Sequence, residues 1–512
     1  MRLEDIQLRS AAKRGDPQAC LAVAKQLFLG RQGARANHKL GLAYLQEEIA
    51  RQSPAALLMI GQAVPLHVLI GQRLQSALNY AAGQGCRAAM LKLGVWLAMA
   101  EPTREEGIGW IVRAHPSLCA PPLEPEALAR VLRELDPREA DFSEAALLGA
   151  RHAVGEQNIE QACWCIRLAA ALDECSVGLA EAIAATVCLA AQTQAELQLP
   201  AALIERGLAL SGEHGGAEAQ YALGCAYAGI DYGHLPAHRL ARARNVERAA
   251  ALLLRAADGG KHRAWLHLFE VSPAARSAEP AHGMARFFLE KAAAAGVSDA
   301  QTRLGALLLK EAPSLHAAEV ALTWLCRAAS GGDEKAREIL ATLVLPMPEL
   351  PADYEAALLA QVALHDRELS VRLSLARRLH LTRHEALSFN AKRDLRHWGI
   401  LVHGSSKENP SGRLAPALTD AMREELERAA AFFRSSSPLE GALVLQRSRT
   451  QRRIFKLLAV SDDQFFAKGI GRSRSHHGYG RHWATQASRV LGGVKELCSD
   501  GRHRANTWTR FA

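Results

Sequence analysis

Aromatic side chains are scarce in this 512-residue sequence: they make up 5% of the residues, although 49% of all residues are hydrophobic. Ala, Leu, Gly and Arg are abundant instead. Such a mix favours packed helices with small residues at their contacts, and it disfavours β-sandwiches and β-barrels. The length is sufficient for two or three domains, each with its own buried core. The composition therefore predicts a mostly α protein.

Long apolar runs are missing as well. The start, "MRLEDIQLRSAAKRGDPQAC", carries charges where a signal peptide needs an apolar core. No window reaches the roughly eighteen uninterrupted apolar residues of a membrane span. We therefore expect a cytoplasmic protein that makes no membrane contact. The ten cysteines are scattered, and even Cys163 and Cys165 are too close together for a zinc knuckle, so we predict free thiols, no metal and no cofactor.

Acidic residues are rare only towards the C-terminus. Residues 371–512 contain 26 Lys+Arg against 12 Asp+Glu, a net charge of +14, whereas residues 1–370 contain 36 against 41, a net charge of −5. A positive segment on an otherwise slightly acidic chain predicts a polyanion partner for that segment and none for the remainder.

A repeated pattern occurs in the first two thirds of the sequence. Small residues in tandem are followed by Gly, then by Ala and an apolar residue at intervals of four, as in "AAAAGVSDAQTRLG" and "AASGGDEKAREILA". The intervals between the last four of the glycines are 45, 36 and 36 residues, enough for two helices and two turns. Each glycine follows a helical run and can adopt the left-handed conformation that ends a helix. The six glycines are Gly15, Gly85, Gly215, Gly260, Gly296 and Gly332.

This pattern resembles the Sel1-like repeat, a relative of the tetratricopeptide repeat. The resemblance implies an α-solenoid of helix-turn-helix repeats over residues 1–345, irregular around 116–204, whose concave surface binds a protein partner. An irregular Ala-rich helical bundle is the alternative interpretation. Prolines at 346, 348 and 351 predict a domain boundary, with a smaller basic α+β domain over 346–512.

The basic segment contains a hairpin pattern and two arginine-dense stretches. "GILVHGSSKENPSGRLAPAL" alternates like a strand, turns near Lys407 and resumes as a strand at Arg413. The stretches "QRSRTQRRIFKLL" and "GRSRSHHGYGRHW" interleave arginines with aromatic residues, as phosphate-backbone binding requires. The predicted DNA-binding residues are Arg447, Arg449, Arg452, Arg453, Lys456, Arg472, Arg474, Arg481 and Arg489.

The order of these features resembles the catalytic domain of tyrosine recombinases, the phage integrases and chromosome-dimer resolvases, over residues 355–512. In that family a helical arginine is followed two residues later by Glu, as Arg383 is here. A lysine on a β-hairpin matches Lys407, an Arg-His pair matches Arg481, and a Gly-x-His-like element matches His503. The resemblance implies that these four side chains surround one phosphate, where they would stabilise its charge and protonate the leaving oxygen.

The sequence also departs from that family. Gly478 replaces a histidine three residues before Arg481, and no tyrosine follows His503, so the nucleophile of the family is missing. We therefore predict a non-enzymatic adaptor that binds a protein partner through its solenoid and DNA through its basic domain. Two alternatives remain: a scaffold for protein partners only, in which these basic residues cover a solvated surface, and a recombinase subunit completed by a partner's tyrosine.

Overall fold

The computed structural model describes residues 3–30, 36–116, 118, 124–135, 139–173, 176–272, 282–312, 315–402, 413–434 and 442–468. The chain divides into two compact units, Met1–Lys261 and His262–Ala512. In both units, helices separated by short turns pack against each other. The predicted boundary at residue 346 falls inside the second unit and remains a prediction.

The described residues of the first unit are helical, with one 3-10 turn, Glu101–Thr103, before α9. Its helices are α1 Leu3–Lys13, α2 Pro17–Leu29, α3 His38–Tyr44, α4 Gln46–Ala50, α5 Pro54–Ala63, α6 Leu66–Gly71, α7 Gln75–Gly83, α8 Arg87–Ala98, α9 Arg104–Ala114, α10 Pro125–Leu135, α11 Glu139–Gly155, α12 Ile159–Leu172, α13 Val177–Thr193, α14 Ala201–Glu213, α15 Ala217–Ala228, α16 Ala237–Leu240 and α17 Val246–Asp258.

The second unit begins with further helix pairs and adds a small sheet. Its helices are α18 Arg263–Val271, α19 His282–Ala294, α20 Ser298–Glu311, α21 Leu315–Ser330, α22 Glu334–Ala341, α23 Ala352–His365, α24 Arg367–Leu379, α25 Arg383–Ser388, α26 Ala391–Asp394, α27 Asp420–Phe433, α28 Ala442–Leu457 and α29 Asp462–Phe465. Its strands are β1 Leu395–Arg396, β2 Gly399–Val402 and β3 Arg413–Pro416. The mostly α fold and the predicted hairpin are thus confirmed.

All six repeat glycines adopt the left-handed conformation, with φ between 80° at Gly85 and 92° at Gly332. At each turn the amide of the next residue donates to a carbonyl five positions back, as Val297 N does to Ala292 O at 3.1 Å. This bond satisfies a carbonyl that the end of the helix leaves without a partner. The small residues and the glycine of the pattern therefore encode one recurring turn.

The same turn also forms without glycine. Asn158 N donates to Ala153 O at 2.8 Å around Gln157, whose φ is 60°, so α11 and α12 form a helix pair inside the stretch predicted to be irregular. Residues other than glycine can occupy this position at a modest cost in backbone energy. The non-glycine residues with this turn hydrogen bond are Gln52, Arg73, Gln157, His380 and Ala459.

Glycines inside the second helix of a repeat bring neighbouring helices close together. A Cβ atom added to Gly305 on α20 would lie 2.7 Å from Leu325 Cγ on α21, and one added to Gly224 would lie 2.9 Å from Leu253 Cγ. Leu325 and Leu253 are completely buried. These contacts explain why a small residue recurs at this position of the pattern.

The sheet is antiparallel in the order β1-β2-β3, with Ile400 opposite Ala415 and Leu401 opposite Leu414. Both of its faces are buried. Ile400 and Ala415 pack in a core with α24, α25 and α27, whereas Leu401, Leu414 and Trp398 pack in a core with helices α20, α21 and α22. The sheet therefore joins the last helix pairs of the repeat pattern to the C-terminal helices within one unit.

Among the residues described, no helix is both long enough and apolar enough to cross a membrane. The free cysteines in these ranges include Cys163 and Cys165 on α12, both buried. Burial raises the pKa of the Cys163 thiol to about 11 and that of the Cys165 thiol to about 12. Both thiols are therefore protonated and chemically inert near neutral pH.

Candidate nucleic-acid interface

Arg383 is placed by a helix start. Thr382 caps α25, where its hydroxyl accepts from Glu385 N at 3.5 Å and the Glu385 carboxylate accepts from Thr382 N at 2.7 Å. This capping box sets Arg383 at the first helical position and turns Glu385 inward. The sequence spacing of Arg383 and Glu385 thus has a local structural cause.

Glu385 forms a bidentate ion pair with Arg413, the first residue of β3. The Nε–Oε1 and Nη2–Oε2 distances are 2.8 and 2.9 Å, and Arg413 Nη2 also donates to His380 O at 2.8 Å. Burial by itself would raise the pKa of Glu385, but the hydrogen bonds and charge of Arg413, with the donors of Thr382, lower it below its ordinary value. The pair anchors the sheet to α25 beside Arg383.

The Arg383 guanidinium lies between α28 and α29. Its Nη2 donates to Ser448 Oγ at 2.8 Å, and its Nη1 lies 3.5 Å from Asp462 Oδ2. The other oxygen of Asp462, Oδ1, accepts from Gln451 Nε2 at 2.7 Å. Gln451 is completely buried, whereas 27% of the Arg383 side chain and 49% of the Asp462 side chain are exposed. Arg383 therefore reaches solvent beside an acid held in place by a buried amide.

Helix α28 presents a basic face next to Ser448. Arg449, Arg452, Arg453 and Lys456 recur at intervals of three and one, so they share one side of the helix, and all four are exposed. Within the described ranges, none of them pairs with a carboxylate. We call these four residues the α28 basic face.

Unlike the other predicted DNA-binding residues of α28, Arg447 is held by contacts within the protein. Its Nη2 lies 3.0 Å from Glu368 Oε1 on α24, and its Nη1 donates to Leu387 O at 3.3 Å. Since its guanidinium is occupied by contacts within the protein, Arg447 supports α28 and is less available to a ligand than its neighbours.

Most of the remaining predicted site residues lie outside the described residues. Of the recombinase-like set, the structure describes Arg383 only. Whether the set shares one site therefore stays a hypothesis. The residues outside the description are Lys407, Arg472, Arg474, Arg481, Arg489 and His503. Strands β2 and β3 flank the segment that contains Lys407, as the hairpin pattern predicts.

The sequence analysis did not predict the roles of four residues of this site. Arg413 pairs with Glu385, and Ser448, Gln451 and Asp462 surround Arg383. Arg413 carried a signal, because it begins a strand predicted to pair beside α25. Asp462 carried none, since it lies 79 positions from Arg383 and only tertiary packing brings the two charges together. The described residues contain no group of three His, Cys, Asp or Glu side chains that could hold a metal ion.

A second candidate surface is an open groove of about 470 Å³ in the first unit. Glu205 on α14 is fixed in it, because its two oxygens accept from Tyr227 Oη at 2.9 Å and from Arg242 N at 3.1 Å. Burial and the hydrogen bond to Glu205 raise the pKa of Tyr227, so its hydroxyl stays protonated. The groove is lined by Ala202, Glu205, Arg206, Ala209, Tyr227 and Arg242.

These features define a mostly α protein of helix-turn-helix repeats with a small antiparallel sheet near the C-terminal helices. No protein-family model and no curated protein matches the sequence. Among solved structures, a protective antigen of uropathogenic Escherichia coli strains, displaying an SLR fold, is similar at 14% identity, covering 93% of this chain and 100% of its own, with a TM-score of 0.30.

A Sel1 repeat protein from Oxalobacter formigenes is similar at 20% identity, covering 67% of this chain and 91% of its own, with a TM-score of 0.25. Both likenesses are distant. The repeat architecture of this chain therefore rests on its own helix pairs and on the six turns that share one geometry.

Proposed function

We propose that this protein is a non-enzymatic adaptor whose helix-turn-helix repeats bind a protein partner and whose basic C-terminal part binds DNA. The observation that carries the DNA-binding half is the α28 basic face. Four exposed cations along one side of a helix, without acidic partners in the described part of the chain, match the negative charges of a phosphate backbone. The net charge of +14 on residues 371–512 adds a long-range attraction for a polyanion.

DNA binding is tested by fluorescence anisotropy of the full chain on duplex DNA across a salt series. We expect Arg452→Gln with Arg453→Gln to weaken binding about tenfold and to reduce the salt slope by about two phosphate contacts. The matched control changes Arg337 and Arg423 to Gln, since both are exposed but already pair with Glu334 and Asp420. An affinity that does not depend on salt, or an equal loss in the control, would contradict DNA binding by α28.

The protein-binding half is supported by the groove beside Glu205. A fixed carboxylate, a tyrosine ring and arginines around small alanines offer both apolar and charged contacts to a partner. If the protein binds partners through this groove and does not bind DNA, it is a scaffold for protein partners only, the first of the two alternatives. Ala209→Trp fills the groove, and Ala251→Trp places the same side chain at an exposed position of α17 outside the groove lining.

The test compares proteins cross-linked in cells to the wild type and to the two tryptophan variants, by quantitative mass spectrometry. We expect Ala209→Trp, and not Ala251→Trp, to lose at least one specific partner. Identical sets of partners for the two variants would exclude the groove as the partner surface.

A further inference from the structure

Asp462 is the acidic partner of the Arg383 guanidinium. Its Oδ2 faces Arg383 Nη1 at 3.5 Å, and the hydrogen bond from the completely buried Gln451 to Oδ1 keeps the carboxylate there. The Nε of Arg383 is buried and has no hydrogen-bond partner within the described ranges. The guanidinium is therefore paired on one edge only.

This acid lies beside α28, because Gln451 of that helix bonds Asp462 and Ser448 of the same helix bonds Arg383. Ser448, the other ligand of Arg383, immediately precedes Arg449 and lies one helical turn before Arg452. A phosphate that binds Arg383 Nη1 meets the negative charge of Asp462, which repels it. The 3.5 Å pair is partly exposed, so it is weak enough to be displaced by a charged ligand.

We propose that Asp462 is an internal competitor for the DNA phosphate that Arg383 and the α28 basic face bind. It holds Arg383 in the free protein and is displaced when the DNA backbone docks, which lowers the affinity for DNA. This inference rests on the proposed DNA binding. The competitor role of Asp462 is nevertheless a separate claim, because α28 could bind DNA without involving Arg383.

The test uses the full chain and the same DNA salt series. Asp462→Asn removes the competing charge and keeps the size of the side chain. We expect it to raise the affinity roughly fivefold and to steepen the salt slope by about one phosphate contact. Asp463→Asn is the matched control, because it removes the same charge from the next residue of α29, where Asp463 contacts Lys468 at 3.8 Å instead of Arg383.

A second comparison places both variants in an Arg383→Gln background. There we expect Asp462→Asn and Asp463→Asn to have equal, small effects, since the competition needs Arg383. Equal gains from the two variants in the wild-type background, or a gain from Asp462→Asn that survives Arg383→Gln, would overturn the competitor role. If Arg452→Gln with Arg453→Gln leaves binding unchanged, the proposed function fails instead, whatever Asp462 does.

Discussion

At the scale of single residues, Glu385 connects three elements of the C-terminal part. It closes the capping box of α25, pairs with Arg413 at the start of β3, and shares Arg413 with the carbonyl of His380 at the turn after α24. Only 13% of the Glu385 side chain and 11% of the Arg413 side chain are exposed. Removal of one partner would leave the other charged and buried.

We predict that Glu385→Gln lowers the free energy of unfolding by about 3 kcal/mol at neutral pH. Because the folded state lowers the pKa of Glu385 below the ordinary value of 4.5, the pair stabilises the protein above that value. Its contribution is lost as the pH falls through the lower, folded-state pKa. The difference in the free energy of unfolding between wild type and Glu385→Gln should therefore become smaller as the pH falls.

The measurement is the thermal midpoint of both proteins between about pH 6 and about pH 3. Glu424→Gln, at an exposed position of α27, is the control and should leave the midpoint nearly unchanged at every pH. If the thermal midpoints of wild type and Glu385→Gln differ by the same amount across this range, the effect of the substitution does not come from the charge of Glu385.

At the scale of elements, the helix-turn-helix unit depends on one backbone conformation. The turn after α19 has Gly296 at a φ of 89°, and a Cβ atom there would meet no heavy atom within 4 Å. The requirement for glycine is therefore conformational and not steric. Gln157 and His380 show that other residues can take this conformation when the surrounding helices impose it.

We predict that Gly296→Ala destabilises the protein by about 1 kcal/mol, because a methyl group disfavours positive φ. Gly296→Asn should cost less, since asparagine tolerates the left-handed region. Chemical denaturation followed by circular dichroism measures both. A larger loss for Asn than for Ala would mean that contacts of the side chain, and not the backbone conformation, decide the turn.

At the scale of the whole molecule, the second unit combines two cores across one sheet. Trp398, Leu401 and Leu414 are buried against α20, α21 and α22, and Arg396 of β1 pairs with Glu319 of α21. Separation of residues 346–512 from these helices would expose that face of the sheet to water. The strands that follow the proline-rich segment therefore complete a core that α20, α21 and α22 begin before it.

We predict that a fragment of residues 262–512 unfolds cooperatively, whereas a fragment of residues 346–512 binds a hydrophobic dye and lacks a sharp thermal transition. Differential scanning calorimetry and dye fluorescence distinguish the two. A sharp transition and no dye binding in the shorter fragment would instead support the independent domain that the sequence predicts from residue 346.

Much of the architecture could be predicted from local patterns. The helix pairs around Gly215, Gly296 and Gly332 follow from small residues and a glycine at fixed spacing, because a helix end and its turn depend on neighbours only a few positions apart. The hairpin followed from alternation around a polar turn. The pair around Gln157 is only weakly predicted, since "LLGARHAVGEQNIEQACWCIRLAAA" echoes the pattern without a glycine at the position where Gln157 takes the left-handed conformation.

The sequence by itself determined the mostly α fold, the repeating turn, the hairpin and the concentration of positive charge near the C-terminus, because each of these depends on composition or on short-range spacing. Only the tertiary structure decided which charges remain available. Arg447 is occupied by Glu368, Arg413 by Glu385 and Arg383 by Asp462, while Arg452 and Arg453 stay exposed. Electrostatic partners act through space over a few ångströms, and no local pattern records which distant acid the packing brings to a given arginine.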